Sequence, residues 1–122
     1  MCIRDSTPRS AEAAAAGLPN TVFAVVIENQ ADETVGMGRV IGDNGLFFQI
    51  VDIAVDPAHQ GRGLGKAIMK ALVDHLRATV PAEAYISLIA DGEAHRLYAQ
   101  YGFQPTAPNS IGMALFLRPN EA

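Results

Sequence analysis

The pattern of apolar and polar positions divides the chain into strand-like and helix-like stretches. Residues 21–28 and 34–41 are rich in β-branched side chains and flank a polar turn at 29–33. That pattern predicts two strands, with Gly36 and Gly38 as weak points or bulges in the second. Gly42-Asp43-Asn44-Gly45 follows. Asn-Gly supplies the positive φ angles of a tight hairpin turn, so residues 46–55 predict a third, long strand in an antiparallel meander. After residue 64 the period changes to that of a helix. Leu64, Ile68, Leu72 and Leu76 fall on one stripe, with Met69 and Val73 beside it. Lys66, Lys70, Asp74 and Arg77 take the opposite face, and Pro81 lies beyond the end.

Residues 84–89 predict a further strand, centred on Tyr85-Ile86-Ser87-Leu88-Ile89. It follows a crossover helix, which places it parallel to the strand at 46–55. Asp91 or Gly92 can start the next helix, with Ala94, Leu97, Tyr98 and Tyr101 at helical spacing and Gly102 as its stop. Phe103 begins an extended piece broken by Pro105 and Pro108, and residues 111–117 predict a last strand. Upstream, residues 10–17 predict a short helix capped by Ser10 and ended by Gly17. Residues 1–10 have no period and read as disordered or non-native. The expected class is α/β (α+β): a mixed, mostly antiparallel sheet flanked by helices. One domain spans 1–122, with its core at about 21–117.

The chain is organised around Asp52-Ile53-Ala54-Val55-Asp56-Pro57-Ala58-His59-Gln60-Gly61-Arg62-Gly63-Leu64-Gly65-Lys66. An apolar strand ends at Val55, and a loop with three alternating glycines opens directly into the helix. Gly61, Gly63 and Gly65 let the backbone turn tightly and approach a ligand closely. The first helical turn has amide N–H groups without internal partners, and with the helix dipole they form an anion site. Arg62 and Lys66 add positive charge. The P-loop of nucleotide hydrolases requires glycine at position 60 and Ser or Thr at 67, where Gln60 and Ala67 stand. The dinucleotide fingerprint requires glycine at 66, where Lys66 stands. Gln60, Gly63 and Gly65 meet a third pattern, Gln/Arg-x-x-Gly-x-Gly/Ala.

Composition narrows the reading further. Net charge is -4 and Lys and Arg form no long run, which argues against nucleic acid as a partner. The single cysteine, Cys2, permits no intrachain disulfide. No apolar run reaches ~18 residues, so no membrane span is expected. The start lacks the apolar segment of a signal peptide, and a cytoplasmic location is the default expectation. No His/Cys/Asp cluster has metal-ligand spacing, so no metal is expected.

The Gln60–Gly65 pattern resembles the pyrophosphate loop of the GCN5-related N-acetyltransferase family. Leu97-Tyr98-Ala99-Gln100-Tyr101-Gly102-Phe103 resembles the Phe-Tyr-x-x-x-Gly-Phe segment of the same family. The two motifs occur in the family's order, and the resemblance runs from about residue 21 to residue 117. The strand end at Asp52-Ile53-Ala54-Val55, with its loop, looks especially like glucosamine-phosphate acetyltransferases. The resemblance implies acetyl-CoA as co-substrate and direct acetyl transfer to a primary amine of a small molecule. It also implies a possible homodimer, and an N-terminal region shorter than usual, without the family's first strand. Backbone groups of Ile53 and Val55, with Ala54 between them, would pair with the pantetheine arm. Amides of Gln60, Gly61, Arg62, Gly63, Leu64, Gly65 and Lys66 would hold the pyrophosphate.

By the same resemblance Tyr98 is the candidate acid that protonates the leaving thiolate. The competing reading is a core aromatic on the apolar face of its helix. Asp52 is the candidate base or binder of a cationic acceptor; the competing reading is a hydrogen-bonded structural aspartate. Gln49 could line the same pocket. His59 reads as a solvated loop histidine, with contact to a phosphate as the competing reading; His75 reads as a surface residue; His95 reads as a packing or surface residue beside Tyr98, with a place facing the cleft as the competing reading. The serines have no nucleophile-elbow context, so no acyl-enzyme is expected. Two alternatives stay open: a non-catalytic acyl-CoA-binding module, and a protein-lysine acetyltransferase.

Overall fold

A computed structural model describes residues 10–117. Cys2 and residues 1–9 of the stretch read as non-native lie outside the described residues. The three-strand meander forms as expected. β1 (Phe23–Glu28) and β3 (Phe47–Val55) both pair antiparallel with β2 (Thr34–Gly42). β4 (Tyr85–Ser87) pairs parallel with β3, giving the order β1-β2-β3-β4. α1 (Ala11–Gly17) precedes the sheet, α2 (Leu64–Thr79) crosses from β3 to β4, and α3 (His95–Ala99) follows.

Ser10 caps α1 as expected, its hydroxyl accepting from the Ala13 amide at 3.0 Å. Gly17 does not end the helix in a left-handed conformation; the chain runs on through a 3₁₀ turn at Leu18–Asn20. The hairpin between β2 and β3 is closed by Asp43 rather than by an Asn-Gly pair alone. Asn44 takes φ +67, but one Asp43 carboxylate oxygen accepts from the amides of Gly45, Leu46 and Phe47 at 2.9, 2.8 and 3.1 Å. Three amide donors hold the Asp43 carboxyl below its ordinary pKa.

The stripe on α2 forms the centre of the core. Ile68, Met69, Leu72 and Leu76 are almost fully buried against Val40, Phe48, Ile50 and Val55 of the sheet. Gly36 and Gly38 are not weak points. They are where Ile68 and Leu72 of the helix pack directly on the strand backbone. A Cβ on Gly38 would stand 2.6 Å from Ile68 Cγ2 and 3.1 Å from Leu72 Cδ1. The bulge lies across from Gly38, on β3. His75 is no surface residue either: its ring stacks on Phe23, with centroids 3.7 Å apart and planes 4° from parallel.

The C-terminal third departs most from the pattern. β4 is three residues long rather than six, and α3 is a single short turn of helix behind a 3₁₀ turn at Gly92–Ala94. Gly102 does end this region, with φ +95. Residues 111–117 form no strand, and Ile111, Met113, Leu115 and Leu117 are exposed. An alternating apolar run becomes a strand only when a ladder partner is present, and sequence periodicity cannot supply that partner.

Two stability outcomes follow from this packing. Gly38→Ala overpacks the α2–sheet contact and should lower unfolding free energy by about 1–3 kcal/mol in a urea titration; an unchanged midpoint would mean that the contact is looser than described. The depressed Asp43 pKa contributes stability that is present above the ordinary carboxylate pKa and is lost as pH falls through the lowered, folded value. Asp43→Asn should therefore show a shallower loss of thermal stability than the parent on acidification below the ordinary carboxylate range.

Candidate active site

The site begins at a bulge. Ala54 opposes Met37 and Val51 opposes Arg39, so Asp52 and Ile53 together face Gly38. Asp52 takes the left-handed φ of +57 that this geometry needs. Its carboxylate accepts from Arg39 Nε at 2.7 Å, and Arg39 Nη1 donates to Thr21 Oγ1 at 2.8 Å. The bulge is thus tied to β2 and to Thr21, two residues before β1. Asp52 lies within the strand, not at its end.

Beyond Gln49, β3 and β4 part. Their ladder is confined to Phe47, Phe48 and Gln49 opposite Tyr85, Ile86 and Ser87. From Ile50 to Val55 the β4 side of β3 has no ladder partner among the described residues. The Asp56 amide donates to Val35 on the β2 side at 2.8 Å. Backbone groups alternate along a strand, so those of Val55 and Ile53 turn toward the gap. The Val55 carbonyl accepts from Gln60 Nε2 at 3.1 Å, which ties the following loop to the strand end.

The loop then makes a 3₁₀ turn at Pro57–His59, and Asp56 Oδ1 accepts from the Ala58 amide at 3.0 Å. Gly61 and Gly63 take φ +84 and +79, and Gly63 is the N-cap of α2. A Cβ on either would meet nothing within 4 Å, so both border open space. The Ala67 amide bonds the Gly63 carbonyl at 3.1 Å as the first helical bond. The amides of Leu64, Gly65 and Lys66 precede that bond and have no helical acceptor.

A cavity of about 220 Å³ lies over these groups. Val55, His59, Gln60, Gly61 and Gly63 line it from the strand and loop, Leu64, Gly65 and Lys66 from the first turn of α2, and Leu97 and Gln100 from α3 and its C-cap. The helix dipole and Lys66 make it a place for negative charge. Of the residues expected here, Arg62, Ile53 and Ala54 lie outside the lining. Tyr98 also lies outside it: it turns into the core between Leu97 and Gln100 and is 7 % exposed. Asp52 sits on the bulge with Arg39, and His95 is exposed, its Nδ1 3.1 Å from the Gly92 carbonyl oxygen.

Five contributors were not legible as such in the sequence. His59 is half-buried, not solvated, and its Nδ1 is closed off from solvent without a hydrogen-bond partner. Tyr101 Oη donates to the Lys66 carbonyl at 2.9 Å, pinning the end of α3 to the first turn of α2. Gln100 and Leu97 share the cavity wall. The spacing of positions 97, 100 and 101 on one helical face was the available signal for three of these. Arg39 had none, because its pairing with Asp52 depends on the register of the bulge. Among the described residues no group of three or more His, Cys, Asp or Glu is placed to hold a metal ion.

The arrangement has relatives. The sequence model of the acetyltransferase (GNAT) domain matches residues 19–105. GCN5-related N-acetyltransferase 2, chloroplastic, of Arabidopsis thaliana is 36% identical over 87 residues, which are 70% of this chain and 33% of the relative. The chain thus spans about a third of the length of that relative. A crystal structure of a protein of unknown function and probable acetyltransferase from meticillin-resistant Staphylococcus aureus superposes with a TM-score of 0.84 at 45% identity, covering 90% of this chain and 82% of that one. Glucosamine-6-phosphate N-acetyltransferase from Arabidopsis thaliana shares the fold, with a TM-score of 0.66 at 23% identity over 88% of this chain and 74% of that one. With its loop, splayed strand and matched domain, the chain belongs to the GCN5-related N-acetyltransferase family.

Proposed function

We propose that the chain, as a single N-acetyltransferase domain, transfers an acetyl group from acetyl-CoA directly to a primary amine of a small molecule. The observation that carries this reading is the meeting of the β3–β4 gap with the glycine loop at one cavity. A slot that accepts an added strand, ending in an anion cradle, suits a long thin ligand with a phosphorylated end. The residues fit such a ligand. Gly61 and Gly63 leave open space over the backbone, the first amides of α2 are unspent, and the enclosed His59 Nδ1 has no partner.

Ile53 and Val55 would pair with the pantetheine arm through their backbone groups, as an added strand pairs with a sheet edge, with Ala54 between them. Amides from Gln60 through Gly61, Arg62, Gly63, Leu64 and Gly65 to Lys66 would hold the pyrophosphate. When bound, acetyl-CoA supplies an acyl group already activated as a thioester. The protein then positions the amine and moves two protons. Tyr98 Oη is the proton donor to the departing sulfur; a phenol with a pKa of about 10 is protonated at neutral pH. Asp52 takes the amine proton through water, or holds a cationic acceptor, with Gln49 beside it.

The amine is inferred to be that of an amino sugar, from the likeness of the cofactor strand and loop. A homodimer and a cytoplasmic site of action go with this reading. Among the described residues no helix is long and apolar enough to cross a membrane. One observation favours a second reading, a non-catalytic acyl-CoA-binding module: the Asp52 carboxylate is already engaged by Arg39. A protein-lysine acetyltransferase is the third.

Acetyl transfer measured over amino sugars, polyamines and lysine peptides separates the three. The proposal expects turnover with a small amine. Cofactor binding without turnover on any acceptor would leave the module, and turnover on peptides alone would make it a protein acetyltransferase. Tyr98→Phe should lower kcat by about 10²-fold or more with the KM for acetyl-CoA little changed. An unchanged kcat would assign Tyr98 to the core alone.

A further inference from the structure

Three aspartates lie between the β2–β3 turn and the glycine loop, and their carboxylates do different work. Asp43 accepts from three backbone amides and Asp56 from the Ala58 amide, so both close turns of their own chain. Asp52 accepts from no backbone amide, although it sits on a bulge. Its bond is from Arg39 Nε to Oδ2, and Oδ1 has no hydrogen-bond partner among the described residues. Arg–carboxylate pairs are frequently bidentate forks; this one uses a single N–H. The Asp52 side chain is 37% exposed, so a ligand can reach it.

Arg39 is held more firmly than the carboxylate it holds. It stands between Gly38 and Val40, which face α2, so alternation along β2 puts its side chain on the other face of the sheet. There Nη1 donates to Thr21 Oγ1 while Nε donates to Asp52. Thr21 is fixed in turn, because the next amide, that of Val22, donates to the Val40 carbonyl at 2.8 Å. The Arg39 side chain is only 16% exposed. A planar guanidinium bonded through two of its nitrogens keeps one orientation, which a lysine ammonium on a flexible stem would not. Asp52 lies three residues past Gln49, where the ladder to β4 ends, or about 10 Å along the strand. The carboxylate therefore stands on the strand that borders the gap, between the closed end of the gap and the loop.

We propose that Arg39, anchored by Thr21, is a positioning residue of the transfer reaction. It holds Asp52 by Oδ2 and so presents Oδ1 to the ammonium group of the acceptor. The inference rests on the acetyl-transfer reading and deepens it. Engagement by Arg39 then aims the carboxylate rather than consuming it.

The test is a set of variant cycles read as kcat/KM for the amine. Arg39→Gln should lower it by about 10²-fold with the KM for acetyl-CoA little changed. Thr21→Val loses the hydroxyl and keeps the shape; it should give a smaller loss of the same sign, although Thr21 bonds Arg39 and not Asp52. Asp52→Asn keeps both the side-chain shape and the tolerance of positive φ. In that background the further effect of either substitution should shrink to within about 2-fold. A merely structural role does not depend on the charge at position 52, so losses that multiply in full with Asp52→Asn would overturn the proposal. So would an unchanged kcat/KM in Arg39→Gln. Should Arg39→Gln unfold by far-UV circular dichroism, Thr21→Val carries the same comparison. Calorimetric titration of glucosamine into the coenzyme A-saturated chain separates this inference from the reading beneath it. Binding that weakens in the same coupled pattern, without turnover by the parent, would support the positioning role and remove the acetyl-transfer reading. Turnover with uncoupled losses would do the reverse, and neither binding nor turnover would overturn both.

Discussion

β3 stays hydrogen-bonded to β2 up to Val55 but leaves β4 after Gln49, and the candidate site depends on that divergence. Two features hold it. Across β2, the bulge at Asp52 and Ile53 shifts the register and is pinned by Arg39. Beneath the sheet, α2 seats its buried stripe on Gly36 and Gly38, and at Gly38 a side chain would push it away. The helix is therefore fixed with its N-terminus at the end of β3, so the unspent amides open beside the gap. Packing in the core and the position of the anion cradle are one constraint seen from two ends.

The helix after β4, α3, completes the cavity rather than founding it. α3 is too short to be stable by itself. It is held by Tyr98 in the core and by the Tyr101 hydroxyl on the Lys66 carbonyl. That bond joins the helix that carries the proposed proton donor to the turn that carries the proposed pyrophosphate amides. Positioning of this kind is the main resource of an enzyme that binds two reactants and forms no bond to either.

The meander, the crossover helix and the glycine loop were legible because each has a local signature: β-branched runs, a period of 3.6, and glycines between a strand and a helix. What was not legible depends on pairing. Asp52 reads as a strand end until the register places it opposite Gly38 beside Arg39. Gly38 reads as a weak strand residue until Ile68 is laid against it. His59 and His75 read as exposed because a sequence does not show which loop or ring will cover them. Residues 111–117 read as a strand because alternation alone cannot say whether a ladder partner exists. In each case the missing information is a contact between distant parts of the chain, not a propensity.

The central claim is that the gap and the loop form a site for acetyl-CoA. Calorimetric titration of acetyl-CoA into the folded chain, with coenzyme A alongside, tests it most directly. The account predicts binding of both in the micromolar range, about 8 kcal/mol of binding free energy. A folded chain that binds neither would contradict it.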